Sequence, residues 1–501
     1  MELNKLAVAL LATSTLLLSA CGGGSSSSGS DNTDQGNGNN TDNTDTGNTD
    51  NSNTDTGTGA NTDTGNSGPA TPAWTTPAEL EDGSVTVSGL MVGGTASKPM
   101  MAYSKGNLLY IREFDGSNWS SAHQLASFNG THDISWAFNA NGKAVLVLEN
   151  NATNAATGFT ECRLDYYRYN GTQWGGYSRA RHLINPSNNY TCHNVDDLKI
   201  ALSDDDSIAM IWNRGDLTAN KGRVQGCDST DTCVTDATSS PATLGSDYNA
   251  VALGMGNDGD GYILKMETSK FATNKSGVFA TTFSDGYTGS SANIGDYPGN
   301  SRLARIAVND ANHALALFNN YNTLQARFDN GSGFATSVEL DDDLAGANYD
   351  ATLEAYLSAG ADYGLSLWVN DWTELKTNIS DAGSFSASST EHPQSNDQIR
   401  SAQGAINDNG KAVIVWFGYD LDMTSGIPYD GTLYARFYDG SAWQDVQTID
   451  SGIDVPSFIS SKGGVGLYLD NSDDVTVVYN AYKSGQATSE PKTFYARRVI
   501  E

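Results

Sequence analysis

The chain has 501 residues, and its 59 Asp and Glu against 28 Lys and Arg give a formal net charge of −31 at pH 7. Acidity on this scale repels nucleic-acid phosphates and anionic lipid head groups, so neither is an expected partner. Such an excess of acidic residues is more often an adaptation for solubility or salt than a binding signal.

The first residues have the pattern of an export signal. A short head precedes an apolar run from Leu6 to Leu18, which is too short to span a membrane and is flanked as secretory signals are. The run ends in Leu18-Ser19-Ala20-Cys21, which resembles the lipobox of bacterial lipoproteins; the alternative is an ordinary secretory peptide with a chance Cys. The resemblance implies a signal peptide at 1–20 and acyl chains on Cys21, which anchor the protein to a membrane. Because Gly22 follows instead of Asp, it also implies an outer-membrane address, on the periplasmic or the surface side.

Residues 21–71 have the composition of a tether. After Cys21 they consist almost entirely of Gly, Ser, Asn, Thr and Asp, and the triplet Asn-Thr-Asp recurs six times. This composition cannot form a core, so the segment is expected to be disordered. A flexible chain of this length has a root-mean-square span of roughly 40 Å, which holds the remaining domain away from the membrane.

The domain at 72–501 repeats one four-strand pattern. An alternating strand leads through a turn such as NANGK (139–143) to a second strand such as AVLVLEN (144–150), then to a third such as LYARFYDG (433–440) and to a fourth that an aromatic residue such as Trp443 opens. Asn-Gly and Asp-Gly turns favour tight hairpins, and four strands per unit indicate a propeller blade. Eight second-strand candidates lie at 98–106, 144–150, 208–215, 262–269, 314–320, 363–371, 412–418 and 475–483. They predict an all-β, eight-bladed β-propeller with about 54 residues per blade, or a seven-bladed one if one candidate is spurious.

The two ends of the repeat complement each other. The last unit stops after a third strand at 492–501, while Trp74 precedes Leu80 by the same six residues that separate Trp443 from Ile449 in a fourth strand. We therefore expect the N-terminal segment to pair with the last strand and to close the propeller, which leaves no open blade edge.

Four cysteines follow Cys21, and an even number in an exported chain predicts two disulfides. Three pairings are possible. We favour Cys227–Cys233, because CDSTDTC can close a local hairpin, and this leaves Cys162–Cys192. A metal site is the weaker alternative, since the chain has no CxxC spacing and no His interleaved at ligand distance.

Long and dissimilar connections follow several second strands, at 150–161, 214–222, 418–431 and 481–490. In a propeller these loops share a face with the links between blades, and variable loops on one face are where function usually resides. The links carry residue types that suit a sugar acid, with Arg holding its carboxylate and His or Tyr moving a proton. The candidate ligand-binding residues are His132, Asp133, Tyr190, His193, Asp296, Tyr297, Arg302, His392 and Arg400. Each is also a common loop residue and no fixed spacing links them, so no catalytic role is assigned.

The acidic stretches 203–207, 257–261 and 339–346 offer oxygen ligands that suit calcium. None has the EF-hand pattern, and solvated acidic turns are the alternative. No other cofactor is expected.

The units resemble those of bacterial surface propellers in segments such as GKAVIVW and LYARFYDGSAW, which implies architecture only. The hairpins at Asp115–Trp119 and Asp439–Trp443 are partly similar to the Asp-box of sialidase propellers, but they lack the residue between Asp and Gly. The catalytic arginines of that family therefore do not carry over to this chain.

Two functions compete on this basis. The leading hypothesis is a non-enzymatic surface module that binds a protein or a glycan. The alternative is a surface-bound polysaccharide lyase or glycoside hydrolase that acts on acidic glycans. A propeller fold by itself is compatible with both.

Overall fold

The computed structural model describes residues 73–81, 87–95, 98–127, 134–139, 141–153, 160–182, 196–213, 222–230, 233, 242–244, 248–267, 276–284, 287–297, 304–320, 323–342, 344, 352–370, 373–391, 398–421, 428–454, 464–483 and 492–499. All of them belong to one compact unit, Pro69–Glu501. The predicted signal peptide, Cys21 and the tether lie outside the described residues. Within these ranges, no helix has the length and apolar character needed to cross a membrane.

The described residues form an all-β domain of antiparallel sheets, and β1 (Ala78–Glu81) belongs to the last of them. Sheet A holds β2 (Val87–Thr95), β3 (Lys98–Lys105), β4 (Leu108–Glu113) and β5 (His123–Ser127). Sheet B holds β6 (Ile134–Phe138), β7 (Ala144–Thr153), β8 (Thr160–Tyr169) and β9 (Trp174–His182). Sheet C holds β10 (Asp196–Leu202), β11 (Ile208–Asn213), β12 (Gly222–Cys227) and β13 (Ala242–Thr243). Sheet D holds β14 (Tyr248–Met255), β15 (Gly261–Glu267), β16 (Ser276–Ser284) and β17 (Tyr287–Tyr297).

The remaining strands continue this order. Sheet E holds β18 (Ala304–Val308), β19 (Ala314–Asn320), β20 (Thr323–Asp329) and β21 (Val338–Asp341). Sheet F holds β22 (Leu353–Leu357), β23 (Tyr363–Asn370), β24 (Glu374–Asp381), β25 (Ser384–Phe385) and β26 (Ser389–Thr390). Sheet G has eight strands: β27 (Gln398–Ile406), β28 (Ala412–Leu421), β29 (Pro428–Tyr438) and β30 (Gln447–Asp454) form its first half, and β31 (Val465–Leu469), β32 (Val475–Lys483), β33 (Lys492–Arg498) and β1 form its second.

All eight predicted second strands are strands in the structure, and all are largely buried. Both faces of β11 are covered, because every residue of Ile208–Asn213 is buried. The same holds for the centre of β28, where Val413, Val415 and Phe417 pack toward one neighbour and Ile414 and Trp416 toward the other. Continuous apolar runs of this length are typical of such doubly covered strands.

The fourth strands begin later than the sequence pattern predicts. Trp119 and Trp443 do not open β5 and β30; each forms an isolated bridge to the preceding strand, and the fourth strand begins four residues further on. Each aromatic ring packs on the partner of its bridge, with centroids 5.5 Å apart for Trp119 and Phe114. The aromatic residue therefore anchors the turn, and the strand starts after it.

The Asp-Gly turns before these aromatic residues are closed by their own side chains. Asp115 Oδ1 accepts hydrogen bonds from the backbone of Ser117 at 2.8 Å and of Asn118 at 2.7 Å. Asp439 does the same in the β29–β30 turn, where hydrogen bonds from Ser441 and Ala442 lower its carboxyl pKa to about 2. The glycines that follow, with φ values of 97° and 96°, occupy the left-handed region that favours glycine. These Asp-box-like hairpins are therefore closed locally by their own Asp and Gly residues.

Successive sheets follow one another through their first strands. In chain order, β2, β6, β10, β14, β18, β22, β27 and β31 each contact the next, and β31 also contacts β2. Consecutive four-stranded meanders that pack in this way have the topology of a β-propeller.

The N-terminal segment joins the C-terminal strand as predicted. β1 pairs antiparallel with β33, with Ala78 opposite Tyr495, and Trp74 bridges Arg498. Trp74 packs near Phe437, 6.0 Å between centroids, and the Arg498 guanidinium lies 3.7 Å from the centroid of the same ring. The outer strand of the last meander is thus supplied from the start of the domain.

A buried carboxylate on β1 also attaches that strand to sheet A. Glu81 is 7% exposed and accepts hydrogen bonds from Tyr103 Oη at 2.5 Å, Arg112 Nη2 at 2.6 Å and Lys105 Nζ at 3.2 Å. Burial acts to raise the Glu81 pKa, but the hydrogen bonds from Tyr103 and Arg112 outweigh it and lower that pKa. β1 therefore contacts the last sheet through β33 and the first sheet, sheet A, through Glu81.

Three later joints repeat this device with other residues. Asp341 at the end of β21 accepts from Trp368 Nε1 at 2.7 Å and Lys376 Nζ at 3.0 Å in sheet F. Glu391 pairs with Arg436 of β29, and Asp450 of β30 pairs with Tyr479 and Lys483 of β32. Asp341 and Asp450, like Glu81, are the acidic residues that follow the aliphatic one in the fourth-strand pattern, whereas Glu391 follows Thr390. All four fasten successive meanders to each other.

The predicted disulfide Cys227–Cys233 is present. It closes a short turn at the end of β12, where the two cysteines also form an isolated β-bridge. Cys192 lies outside the described residues, as does the side chain of Cys162 on β8, so the second disulfide stays a prediction.

Candidate functional site

The two ends of the sheets are built differently. The turns that join first to second strands are short, and they hydrogen-bond to each other from sheet to sheet. Examples are Asn139 Nδ2 to Ser203 O at 2.9 Å, Asp204 N to Asn257 O at 2.9 Å, Asp310 N to Ala359 O at 2.9 Å, Gly360 N to Asp408 Oδ1 at 2.7 Å and Asn407 Nδ2 to Asp470 O at 2.9 Å. This end of the domain is a continuous scaffold.

The opposite end carries long hairpin arms. The β7–β8 ladder continues to the pair Thr153–Thr160, and the β28–β29 ladder to Leu421–Pro428. The predicted loops at 150–161 and 418–431 therefore begin and end in strand, at 150–153, 160–161, 418–421 and 428–431, which corrects the sequence interpretation; 154–159 and 422–427 lie outside the described residues. The alternation of these segments is weak, so sequence reasoning did not detect the extra strand length.

Most of the predicted ligand-binding residues lie outside the described part of the chain. These are His132, Asp133, Tyr190, His193, Arg302 and His392. Arg400 lies within β27, a first strand, opposite Phe417. Asp296 and Tyr297 were expected in a link between blades, but they end β17, a fourth strand, opposite Gly277 and Ser276. The side chains of these three residues are outside the description, so the candidate set stays a prediction.

Two buried carboxylates near the hairpin end of sheet B were missed by sequence reasoning. Glu149 is 4% exposed and Asp165 is 2% exposed. They are opposite Leu164 and Leu148 in the β7–β8 ladder, so they point to opposite faces of the sheet and do not form a carboxylate pair. Asp165 accepts a hydrogen bond from Asn150 Nδ2 at 3.0 Å. The sequence signal that identifies these two residues is an acidic residue within an apolar run.

Two of the acidic stretches considered for calcium, 203–207 and 257–261, lie at turns of the scaffold end. Burial, together with the negative charges of Asp204 and Asp408, raises the pKa of Asp310. The three residues lie in turns of three different sheets: Asp204 in sheet C, Asp310 in sheet E and Asp408 in sheet G. Among the described residues, no group of three or more His, Cys, Asp or Glu is arranged to hold a metal ion. Asp341, from the third acidic stretch, is hydrogen-bonded to Trp368 and Lys376.

Comparisons with known proteins give no family assignment. No family model matches the chain, and no curated protein does either.

Several solved structures have a low similarity to this chain. The AofleA protein from Arthrobotrys oligospora is 11% identical with a TM-score of 0.38, covering 75% of this chain and 90% of its own. A fungal lectin from Aleuria aurantia, described as a six-bladed β-propeller that recognises fucose, is 10% identical with a TM-score of 0.36 over 74% of this chain and 97% of its own. The NanB sialidase from Streptococcus pneumoniae is 12% identical with a TM-score of 0.33 over 84% of this chain and 70% of its own. At these identities and TM-scores, the likenesses carry no conclusion about ligand or activity.

Proposed function

We propose that the protein is a lipid-anchored, non-enzymatic binding module of the bacterial outer membrane, whose propeller presents its hairpin-bearing end to a protein or a glycan. The observation that carries this proposal is the difference between the two ends. One end is cross-linked from turn to turn, while the other extends paired strands beyond the four-stranded meanders. Stiff arms hold their tips in fixed positions, which reduces the ordering cost of binding.

The buried charges also favour binding over catalysis. Glu81, Asp341, Glu391 and Asp450 are all engaged by groups of a neighbouring meander, so they serve as fastenings. Glu149 and Asp165, at the hairpin end, face opposite sides of their sheet. Most glycosidases use two carboxyl groups that flank one bond, an arrangement that Glu149 and Asp165 do not form.

We further infer eight blades, with β1 as the outer strand of the last. Two features support this count. The circuit of first strands from β2 through β31 and back to β2 has eight members, and each half of sheet G is a four-stranded meander. Within the described residues, the ladder between the halves consists of the pairs Ile453–Lys483 and Asp454–Tyr482. We interpret those pairs as contacts between two neighbouring blades.

The anchor and tether complete the proposal. Acylation at Cys21 would attach the chain to the membrane, and residues 22–71 would hold the propeller at a distance from it. Such an arrangement suits display of a binding surface.

The test is a panel of glycans and of surface proteins, probed with the detergent-solubilised mature protein, with reaction products analysed in the same incubations. Reversible binding of an unaltered ligand supports the proposal. Shortened or unsaturated oligosaccharides would favour the lyase or hydrolase alternative. Failure to bind any glycan or protein would contradict the binding function.

A further inference from the structure

A groove with a volume of about 510 Å³ lies between the N-terminal segment and β30. Ala73–Pro77 form one wall and Gln447–Ile449 the other, and we call this the closure groove. Trp74 is held by its bridge to Arg498, and Thr75 N donates to Arg497 O at 2.7 Å. The groove therefore exists only when the N-terminal segment is seated on β33. Its volume is within the range of small-molecule sites, about 300–1,000 Å³.

The walls of the closure groove carry no charged side chain. Thr76 is exposed and offers a hydroxyl group, while Gln447 offers an amide and Trp74 a half-buried indole. The Thr75 hydroxyl accepts a hydrogen bond from Arg497 N at 2.9 Å and retains its own proton to donate. The groove is therefore neutral, although the chain has a net charge of −31. An uncharged ligand can approach it without the repulsion that an anion meets.

Two polar atoms of the lining residues lack partners. In the described structure, Trp74 Nε1 and Gln447 Oε1 are buried and have no hydrogen-bond partner. Leaving a buried donor or acceptor unpaired costs free energy, so a group that pairs with both is favoured. A hydroxyl group accepts from an indole N–H and donates to an amide oxygen. Both atoms are shielded here, and a change in side-chain rotamer of the kind common on binding would expose them.

We propose that the closure groove binds an uncharged saccharide. The apolar face of a sugar ring suits the indole of Trp74, and its hydroxyls suit Thr75, Thr76 and the Gln447 amide. The inference goes beyond the proposed function, which places binding at the hairpin-bearing end, because it adds a second site and its ligand class. It places this site at the outer strands of sheet G, apart from the hairpin tips.

The test compares two lysine substitutions in equivalent positions. Gln447 lies opposite Ala435 in the β29–β30 ladder, and the exposed His123 lies opposite Ile111 in the β4–β5 ladder. Titration calorimetry would use glucose, galactose, mannose and N-acetylglucosamine, with glucuronate as the charged comparison. The wild type and His123→Lys should bind at least one neutral sugar more tightly than glucuronate, and Gln447→Lys should bind that sugar at least tenfold more weakly.

The other outcomes separate the site from its ligand class. Unchanged sugar affinity in Gln447→Lys would overturn the closure groove but leave the binding function standing. Glucuronate bound more tightly than every neutral sugar would overturn the ligand class. A wild type that binds none of the neutral sugars would overturn the inference, while binding to the wider glycan and protein panel tests the proposed function separately. Thr76→Lys on the opposite wall is a second variant, to be used if Gln447→Lys melts at a lower temperature than His123→Lys.

Discussion

Arginines in equivalent positions of different sheets have unequal surroundings. Arg436 is opposite Ile414 and pairs with Glu391, whereas Arg327 is opposite Ala316 and has a buried Nε without a partner in the described structure. The residue in the preceding sheet explains the difference. In sheet D, the residue opposite Val278 is Gly295, whereas at the matching position in the first half of sheet G the residue opposite Leu433 is Asp450. A Cβ at Gly295 would lie 2.3 Å from the Phe318 ring, so that ring fills the place of a carboxylate.

This difference predicts unequal costs for the same substitution. Arg436→Met should destabilise the domain by about 3–5 kcal/mol, because it leaves the buried Glu391 carboxylate without its cation. Arg327→Met should be neutral or slightly stabilising, because it removes a partly desolvated charge whose pKa burial already lowers. Urea unfolding of the two variants measures the difference. Equal losses would contradict the assignment of Glu391 and Arg436 as a fastening.

The Glu81 fastening should depend on pH in a defined direction. Its pKa is lowered in the folded protein, so its contribution is complete above the ordinary Glu pKa of about 4.3 and is lost as the pH falls through the folded value. Glu81→Gln should therefore lower the melting temperature at pH 7 and have a much smaller effect near pH 3. Melting curves of both proteins at the two pH values provide the measurement. A difference that stays constant between them would contradict the ionised joint.

At the scale of elements, β1 should matter more than its four residues suggest. Deleting residues 71–82 removes Trp74 and Leu80 from their packing positions and strips the outer strand from β33. Burial of such side chains stabilises by roughly 2–3 kcal/mol each, and the deletion also removes the Glu81 joint. We expect a lower melting temperature and aggregation through the exposed edge of β33.

A matched deletion of residues 31–42, within the predicted tether, provides the control. It should leave the melting temperature unchanged, because that stretch has no residues that can form a core. Identical melts for the two deletions would show that β1 does not contribute to the fold in the way its pairing indicates.

At the scale of the whole molecule, the repeat could be predicted from the sequence, whereas the side-chain contacts between neighbouring meanders could not. Second strands were predictable because apolar runs such as AVIVWFG are buried on both faces, and the missing fourth strand was predictable because the end of the chain lacks what its beginning supplies. The sequence shows that the acidic residues Glu81 and Asp450 follow Leu80 and Ile449, but it does not show their partners, which lie in another meander. The lengths of the hairpin arms were not predictable, because Asn, Gly and Thr within them read as loop.

The anchoring prediction also belongs to this scale. Cys21→Ala should release the protein from membranes or leave it unprocessed, because acyl chains on Cys21 are the expected attachment. Membrane fractionation with labelling by a fatty-acid analogue measures this. A variant that keeps its label and stays in the membrane fraction would contradict the lipoprotein assignment.

The central claim is that the main ligand-binding surface is the hairpin-bearing end. The most direct measurement uses a panel ligand that Gln447→Lys binds as tightly as the wild type does. Its affinity is measured after residues 422–427 are replaced by Asn-Gly, which caps β28 and β29 with a tight turn. Ser117→Lys, in an exposed turn at the scaffold end, is the control. We predict that the shortened hairpin melts as the wild type does and binds at least tenfold more weakly, while the control binds normally. Full affinity in this variant and in the equivalent replacement of 154–159 would contradict the claim.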